Sequence, residues 1–229
     1  MPLLPKRFKR IQSVLNTRMA DLTVLLENVE KPHNLSAILR TCDAVGVLEA
    51  NAISKEERTC TFNSTAQGSQ KWVHINEYST IENAVEALKE KGFTLYGTNL
   101  DKSATDYREC NFTKATAFVL GAEKWGISDQ GKQLIDQSIY IPMKGMVQSL
   151  NVSVAGAVLL FEALRQREVK GITPQLGEGL GKEKYKNTLF EWSYPDVAKW
   201  CKTNEKSYPE INSIGEIIED LPRDIKMRY

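Results

Sequence analysis

The apolar positions change period repeatedly along the chain, and each change marks an element. Phe8, Ile11, Val14 and Leu15 recur at three- and four-residue steps and predict a helix over 5–19. "LTVLLENV" (22–29) reads as a strand. "NLSAILRTCDAVGV" (34–47) returns to helical spacing through Leu35, Ile38, Leu39 and Ala44, with Gly46 as its stop. Further strands are predicted at 49–54, 72–76, 93–100, 116–121 and 138–143, the last stopped by Pro142. "TIENAVEALKEKG" (80–92) is an amphipathic helix closed by Gly92, and 55–70 is a polar loop with a short helix.

The stretch "GMVQSLNVSVAGAVLLFEALRQR" (145–167) is polar at its entry and apolar from Val154 to Leu164 except for Glu162. It predicts a helix over about 149–169. One or two polar side chains suffice to cap a helix. Gln148, Ser149, Asn151 and Ser153 exceed that need and mark a candidate site.

Strands alternating with helices, several of them apolar on both faces, predict an α/β fold: a mostly parallel sheet with helices on both faces. The expected division is a basic helical arm (1–20), a core domain (21–169), and a linker with a helical tail (170–229). "KGITPQLGEGLGKEK" (170–184) is the Gly-rich linker, and Trp192, Tyr194, Trp200 and Tyr208 mark the tail as packed.

Composition narrows the class. With 229 residues, 41% apolar and 26% charged, the chain is ordinary globular material. No apolar run approaches the roughly 20 residues of a membrane helix. "MPLLPKRFKR" lacks a signal-peptide core, so a cytoplasmic protein is expected. Cys42, Cys60, Cys110 and Cys201 form no CxxC pair, and His33 and His74 are the two histidines. No metal site is expected.

Net charge is +1, but it is unevenly spread. Lys6, Arg7, Lys9, Arg10 and Arg18 precede the first acid, Asp21, and Arg165, Arg167 and Lys170 end the long helix. Either cluster could meet phosphates or serve as a solvated helix face.

Nucleotide and hydrolase motifs fail on context. "GEGLGK" (177–182) follows Pro174 and Gln175 rather than a strand, so it is not a dinucleotide loop. No G-x-S-x-G elbow is present.

Three clusters remain. In "NVEKPHNLSAILRTCDAVG" (28–46), Asn34 precedes a helix that it or Ser36 could cap, and Arg40 is either a surface charge or, in a helix expected to be mostly buried, a cation that needs a partner. In "FVLGAEKWGIS" (118–128), a strand runs into Gly121 and Glu123; Gly121 would let a ligand approach the backbone, or it makes a glycine turn beside a solvated Glu123. The third is the polar helix entry, with Ser149 and Asn151.

In order and wording these segments resemble the three motifs of the SPOUT superfamily of RNA methyltransferases, in its 2′-O-ribose branch. The resemblance covers about 20–168, and the basic arm and aromatic tail extend it to the TrmH type, which acts on tRNA. It implies a deep trefoil α/β knot, a homodimer whose active site draws on both copies, S-adenosylmethionine as cofactor, and tRNA as partner, at the D-loop guanosine of position 18. Thr98, Gly121, Ile141, Met146, Ser149 and Leu150 would hold the cofactor. Arg40, Asn34, Glu123, Ser149 and Asn151 would form the catalytic set. Lys6, Arg7, Lys9, Arg10, Arg18, Arg165 and Arg167 would hold the RNA.

The resemblance gives the proton-removing role to Arg40, yet free Arg is a very poor base. Either Arg40 is perturbed and relays a proton with a substrate phosphate, or it stays cationic and stabilises the developing alkoxide. The second is favoured on chemical grounds. Rivals are the same chemistry on ribosomal RNA, a base methyltransferase of the superfamily, and an idle RNA-binding module. "VAGAV" (154–158) suits helix–sheet packing or a close helix contact between copies, the latter favoured by the resemblance.

Overall fold

A computed structural model describes residues 4–53, 71–99, 101, 103–122, 125–172, 174, 180–221 and 225. The loop expected over 55–70 lies outside them. In chain order the elements are α1 (Pro5–Asn16), β1 (Leu22–Leu26), α2 (Pro32–Val45), β2 (Glu49–Ile53), β3 (His74–Tyr78), α3 (Ile81–Glu90), β4 (Thr94–Thr98), β5 (Thr105–Asp106), a 3-10 turn (Tyr107–Glu109), β6 (Thr116–Leu120), α4 (Asp129–Leu134), β7 (Gln137–Tyr140), α5 (Val152–Val169), α6 (Lys182–Ser193) and α7 (Pro195–Thr203). The chain divides into two compact units, residues 19–173 and residues 1–18 with 174–229.

The first unit is a seven-stranded sheet in the order β3-β2-β1-β6-β4-β7-β5. Every pairing is parallel. At its centre Leu22–Leu26 runs beside Thr116–Leu120 in unbroken register, and both strands are buried throughout. Side chains alternate across the sheet. Val24, Leu26, Phe118 and Leu120 face a layer containing Leu35, Ile38 and Leu39 of α2 and Leu159, Leu160 and Ala163 of α5. Leu25, Ala117 and Val119 face the opposite layer, with Ile81, Ala84, Val85 and Leu88 of α3. Helices thus cover both faces, as the continuous apolar strands require.

Local chemistry sets the ends. Gly46, at φ 92, closes α2 in the left-handed conformation that suits glycine. Thr80 caps α3 by accepting from the Asn83 amide. Where expectation and structure part, short elements are responsible. β5 and α4 span two and six residues, too few for periodicity to register. The strand expected to end at Pro142 ends at Tyr140, and the helix expected from 149 starts at Val152. Gly156 of "VAGAV" serves the sheet: a Cβ there would meet Leu120 Cδ1 at 3.0 Å, so its absence lets α5 close on β6.

In the second unit α1 buries Phe8, Ile11 and Leu15 and packs against α6. Phe190, Val197, Ala198 and Cys201 form a small core, over which Tyr208 stacks on Phe190 at 4.9 Å.

Two arginines expected on RNA are interior. Arg18 is fully buried, its guanidinium 5.2 Å above the Trp192 ring. Arg167 is also fully buried. Its guanidinium donates to the carbonyls of Phe112 (3.0 Å), Asp21 (3.0 Å) and Lys114 (2.8 Å), and to Asp21 Oδ1 (2.5 Å). Their fixed charge forced neither outward, because each finds an aromatic face or a ring of acceptors inside. Arg167→Ala leaves three carbonyls without this donor, and urea unfolding is expected to show a loss of about 3 kcal/mol.

Candidate active site

β4, β6 and β7 end side by side, and the segments leaving them enclose a cleft of about 340 Å³. Carboxyl ends of parallel strands are where ligands bind in open α/β sheets. Its walls include Thr98, Asn99, Gly121, Ala122, Gly126, Ile139, Tyr140, Ile141, Met143, Gln148, Ser149, Leu150, Val152 and Ala155. None of these side chains carries a charge, and the volume falls in the range of small-ligand sites.

Five of the six residues expected to hold a cofactor line this cleft: Thr98, Gly121, Ile141, Ser149 and Leu150. Met146 does not line it; its side chain is 99% exposed, and Met143 contributes instead. Gly121 is needed for a close turn of the chain rather than for a ligand's approach. A Cβ there would sit 2.1 Å from the Gly126 carbonyl carbon and 2.2 Å from the Ile127 nitrogen. The backbone that approaches Gly121 is the protein's own loop, folded back by a hydrogen bond from the Gly126 amide to the Ala122 carbonyl (2.8 Å).

On the other side of the polar helix entry, Asn151 caps α5. Its Oδ1 accepts from the Ser153 amide (2.8 Å) and hydroxyl (2.6 Å). Its Nδ2 donates to Asn34 Oδ1 at 3.1 Å. Asn34 lies within the first turn of α2 and is buried, so it is neither a residue before the helix nor its cap. Pro32 starts that helix with its φ already set. Two residues 117 apart in sequence are thereby joined at the starts of two packed helices.

Of the two readings of Arg40, the surface charge is the one found. It is exposed on α2, on the face it shares with His33 and Ala37, so no buried partner is required. Glu123 lies outside the described residues. Arg165 is exposed but bound to Glu162 by two hydrogen bonds of 2.8 Å, which hold the Glu162 carboxyl below its ordinary range. Lys6, Arg7, Lys9 and Arg10 are all exposed on α1.

Sequence reasoning missed Asn99, Tyr140 and Glu27. Asn99 Nδ2 donates to Asp101 Oδ2 (2.8 Å), and Asp101 is held below its ordinary range by the Ser103 hydroxyl, the Ser138 hydroxyl and the Ser103 amide. Glu27, 4% exposed, accepts from both the amide and the hydroxyl of Ser128. An acid at the end of the apolar run "LTVLLE" was the available signal for it.

Fold and cleft together define an α/β protein with a cleft of small-ligand size at its strand ends. The chain belongs to the SpoU rRNA methylase family, whose model matches residues 21–161, and it is a methyltransferase. The C-terminal model of the same family matches residues 165–220. The chain is 55% identical to the tRNA (guanosine(18)-2′-O)-methyltransferase of Thermus thermophilus, over 81% of this chain and 95% of that one. The crystal structure of the Aquifex aeolicus TrmH/SpoU tRNA modifying enzyme superposes with a TM-score of 0.76 at 42% identity, covering 84% of this chain and 97% of that one. The SpoU methyltransferase AviRb of Streptomyces viridochromogenes, in complex with the cofactor AdoMet, superposes with a TM-score of 0.56 at 27% identity, covering 68% and 64%.

Gly121→Ala is expected to force the 126–127 backbone outward and narrow the cleft. A destabilisation of about 2 kcal/mol, or a lowering of the melting temperature by roughly 5 °C in thermal unfolding, checks it.

Proposed function

We propose that the protein transfers a methyl group from S-adenosylmethionine to the ribose 2′-hydroxyl of the D-loop guanosine at tRNA position 18. The observation that carries the reading is the cleft at the ends of β4, β6 and β7, bounded by the backbone of Gly121 and by Ser149 and Leu150. The nucleoside follows the name of the Thermus thermophilus relative, tRNA as substrate follows that name and the name of the Aquifex aeolicus relative, and the cofactor follows the complex of the Streptomyces viridochromogenes one.

The residues present fit that cofactor. Ile139, Ile141, Leu150 and Val152 offer an apolar slot for a flat base, and Thr98, Asn99 and Gln148 offer polar edges. Bound there, S-adenosylmethionine supplies an electrophilic methyl group on a sulfonium. Thr98, Gly121, Ile141, Ser149 and Leu150 hold the adenosine, together with the backbone of 143–149. The uncharged side chains of the described lining suit a reaction in which positive charge disperses.

Asn34 and Asn151, already bonded to one another, orient the ribose with Ser149 and Glu123. Arg40 stays cationic and stabilises the alkoxide as it forms, while the proton leaves to a phosphate or to water. The site draws on two copies of the chain. Arg40 is not among the described residues that line the cleft of its own chain. Val154 and Phe161 lie seven residues apart on one exposed face of α5, at 48% and 51% exposure, which supports a second copy seated there. The chain is threaded as a trefoil knot. The order β4-β7-β5, with a late strand slotted between two earlier ones, supports it. Lys6, Arg7, Lys9 and Arg10, with Arg165, follow the RNA backbone. No helix among the described residues is long and apolar enough to cross a membrane; we infer a cytoplasmic enzyme.

Incubation with labelled cofactor and separate tRNA and ribosomal RNA pools is expected to label tRNA, with a 2′-O-methyl mark at guanosine 18. Label in ribosomal RNA alone would favour the rival substrate, and no label an idle module. Arg40→Ala is expected to keep cofactor binding by calorimetry and lose at least about a hundredfold in turnover.

Binding to tRNA is expected to weaken steeply between 50 and 200 mM salt. Neutralising Lys6 and Arg10 together is expected to lower the slope of log K against log salt by roughly one to two. Filter binding across a salt series checks it, and an unchanged slope would remove α1 from the RNA path.

A further inference from the structure

We infer that Glu27 is a positioning residue for methyl transfer, strapping residues 126–128 against Gly121, where Gly126 forms part of one wall of the cleft. The inference rests on the cofactor reading above. Glu27 follows the last residue of β1, and its amide donates to the Leu120 carbonyl (2.9 Å), extending the β1–β6 ladder by one step. Its carboxylate then reaches to the far end of the loop that starts at Gly121. Oε2 accepts from the Ser128 amide (2.9 Å) and Oε1 from the Ser128 hydroxyl (2.6 Å). One residue therefore holds both ends of a loop 101 positions away in sequence.

The strap continues inward. Ser128 Oγ accepts from the Gly131 amide (2.9 Å), so the same hydroxyl caps α4. A Cβ at Gly131 would lie 3.1 Å from Glu27 Oε2 and 2.7 Å from Ile127 Cγ2, so a glycine leaves the carboxylate its room. Within the strapped loop, Gly126 adopts φ +66, and both Ala122 and Gly126 line the cleft.

Glu27 itself does not line the cleft, so it acts through the loop. An apolar side chain would fill this buried position without the cost of desolvating a carboxylate. What such a side chain lacks is directional grip on an amide and a hydroxyl at once. Placing Gly126 and Ile127 against Gly121, where clearance is below that of one methyl group, needs that grip.

The test compares wild type, Glu27→Gln, Ser128→Ala and the double variant in the full chain. Wild type binds S-adenosylhomocysteine by calorimetry. Glu27→Gln is expected to weaken that binding and raise KM for S-adenosylmethionine about tenfold, with KM for tRNA within about twofold. In the cofactor-free protein, amide exchange is expected to quicken across 126–128 and not across β1 or β6. The double variant is expected to be no worse than Glu27→Gln alone, since both remove one strap. Unchanged loop exchange with unchanged S-adenosylhomocysteine affinity overturns the inference. So does exchange that quickens equally through the whole sheet. If Glu27→Gln does not fold, Ser128→Ala carries the same readouts. Failure of wild type to bind S-adenosylhomocysteine would defeat the cofactor reading, while the exchange data would still decide the strap.

Discussion

The parallel pairing of Leu22–Leu26 with Thr116–Leu120 is the constraint on which the rest of this structure hangs. Both strands are buried on both faces, so their register cannot slip by one residue without exchanging the side chains of two separate cores. That register sets Glu27 beside Leu120 and delivers Gly121 to the carboxyl end of the sheet at the level of Asn99 and Tyr140. Every wall of the cleft is counted from it.

The second requirement is that two helix starts meet. α2 and α5 cover one face of the sheet, and the Asn151–Asn34 hydrogen bond ties their first turns together. The polar surplus at the entry to α5 divides into separate tasks. Asn151 caps and bridges, Ser153 receives the cap, and Gln148 and Ser149 face the cleft. Arg40, further along α2, is turned to the outside of its own chain.

Charge inside this protein is used for fixing backbone. Arg167 gathers three carbonyls and a carboxylate at the foot of β1 and β6, and Glu27 gathers an amide and a hydroxyl at their other end. The two lie at opposite ends of the same strand pair. Each accepts a desolvation cost for direction, which apolar packing lacks.

The alternation of period-two and period-3.6 patterns, and the double-sided apolar strands, were enough to read an α/β fold with a parallel sheet, because burial acts on each position locally. The wording of three segments was enough to read the family and to bring Thr98, Gly121, Ile141, Ser149 and Leu150 onto one list. Partners distant in sequence were not legible. Arg18 and Arg167 look like solvated cations until Trp192 and the carbonyls around Asp21 are placed beside them. Gly121 looks like a ligand approach until Gly126 folds onto it. Glu27 has no meaning before Ser128 arrives. Composition and spacing determine which faces are buried; only the folded chain decides which polar groups meet there, because a hydrogen bond depends on distances between residues that the linear order leaves free.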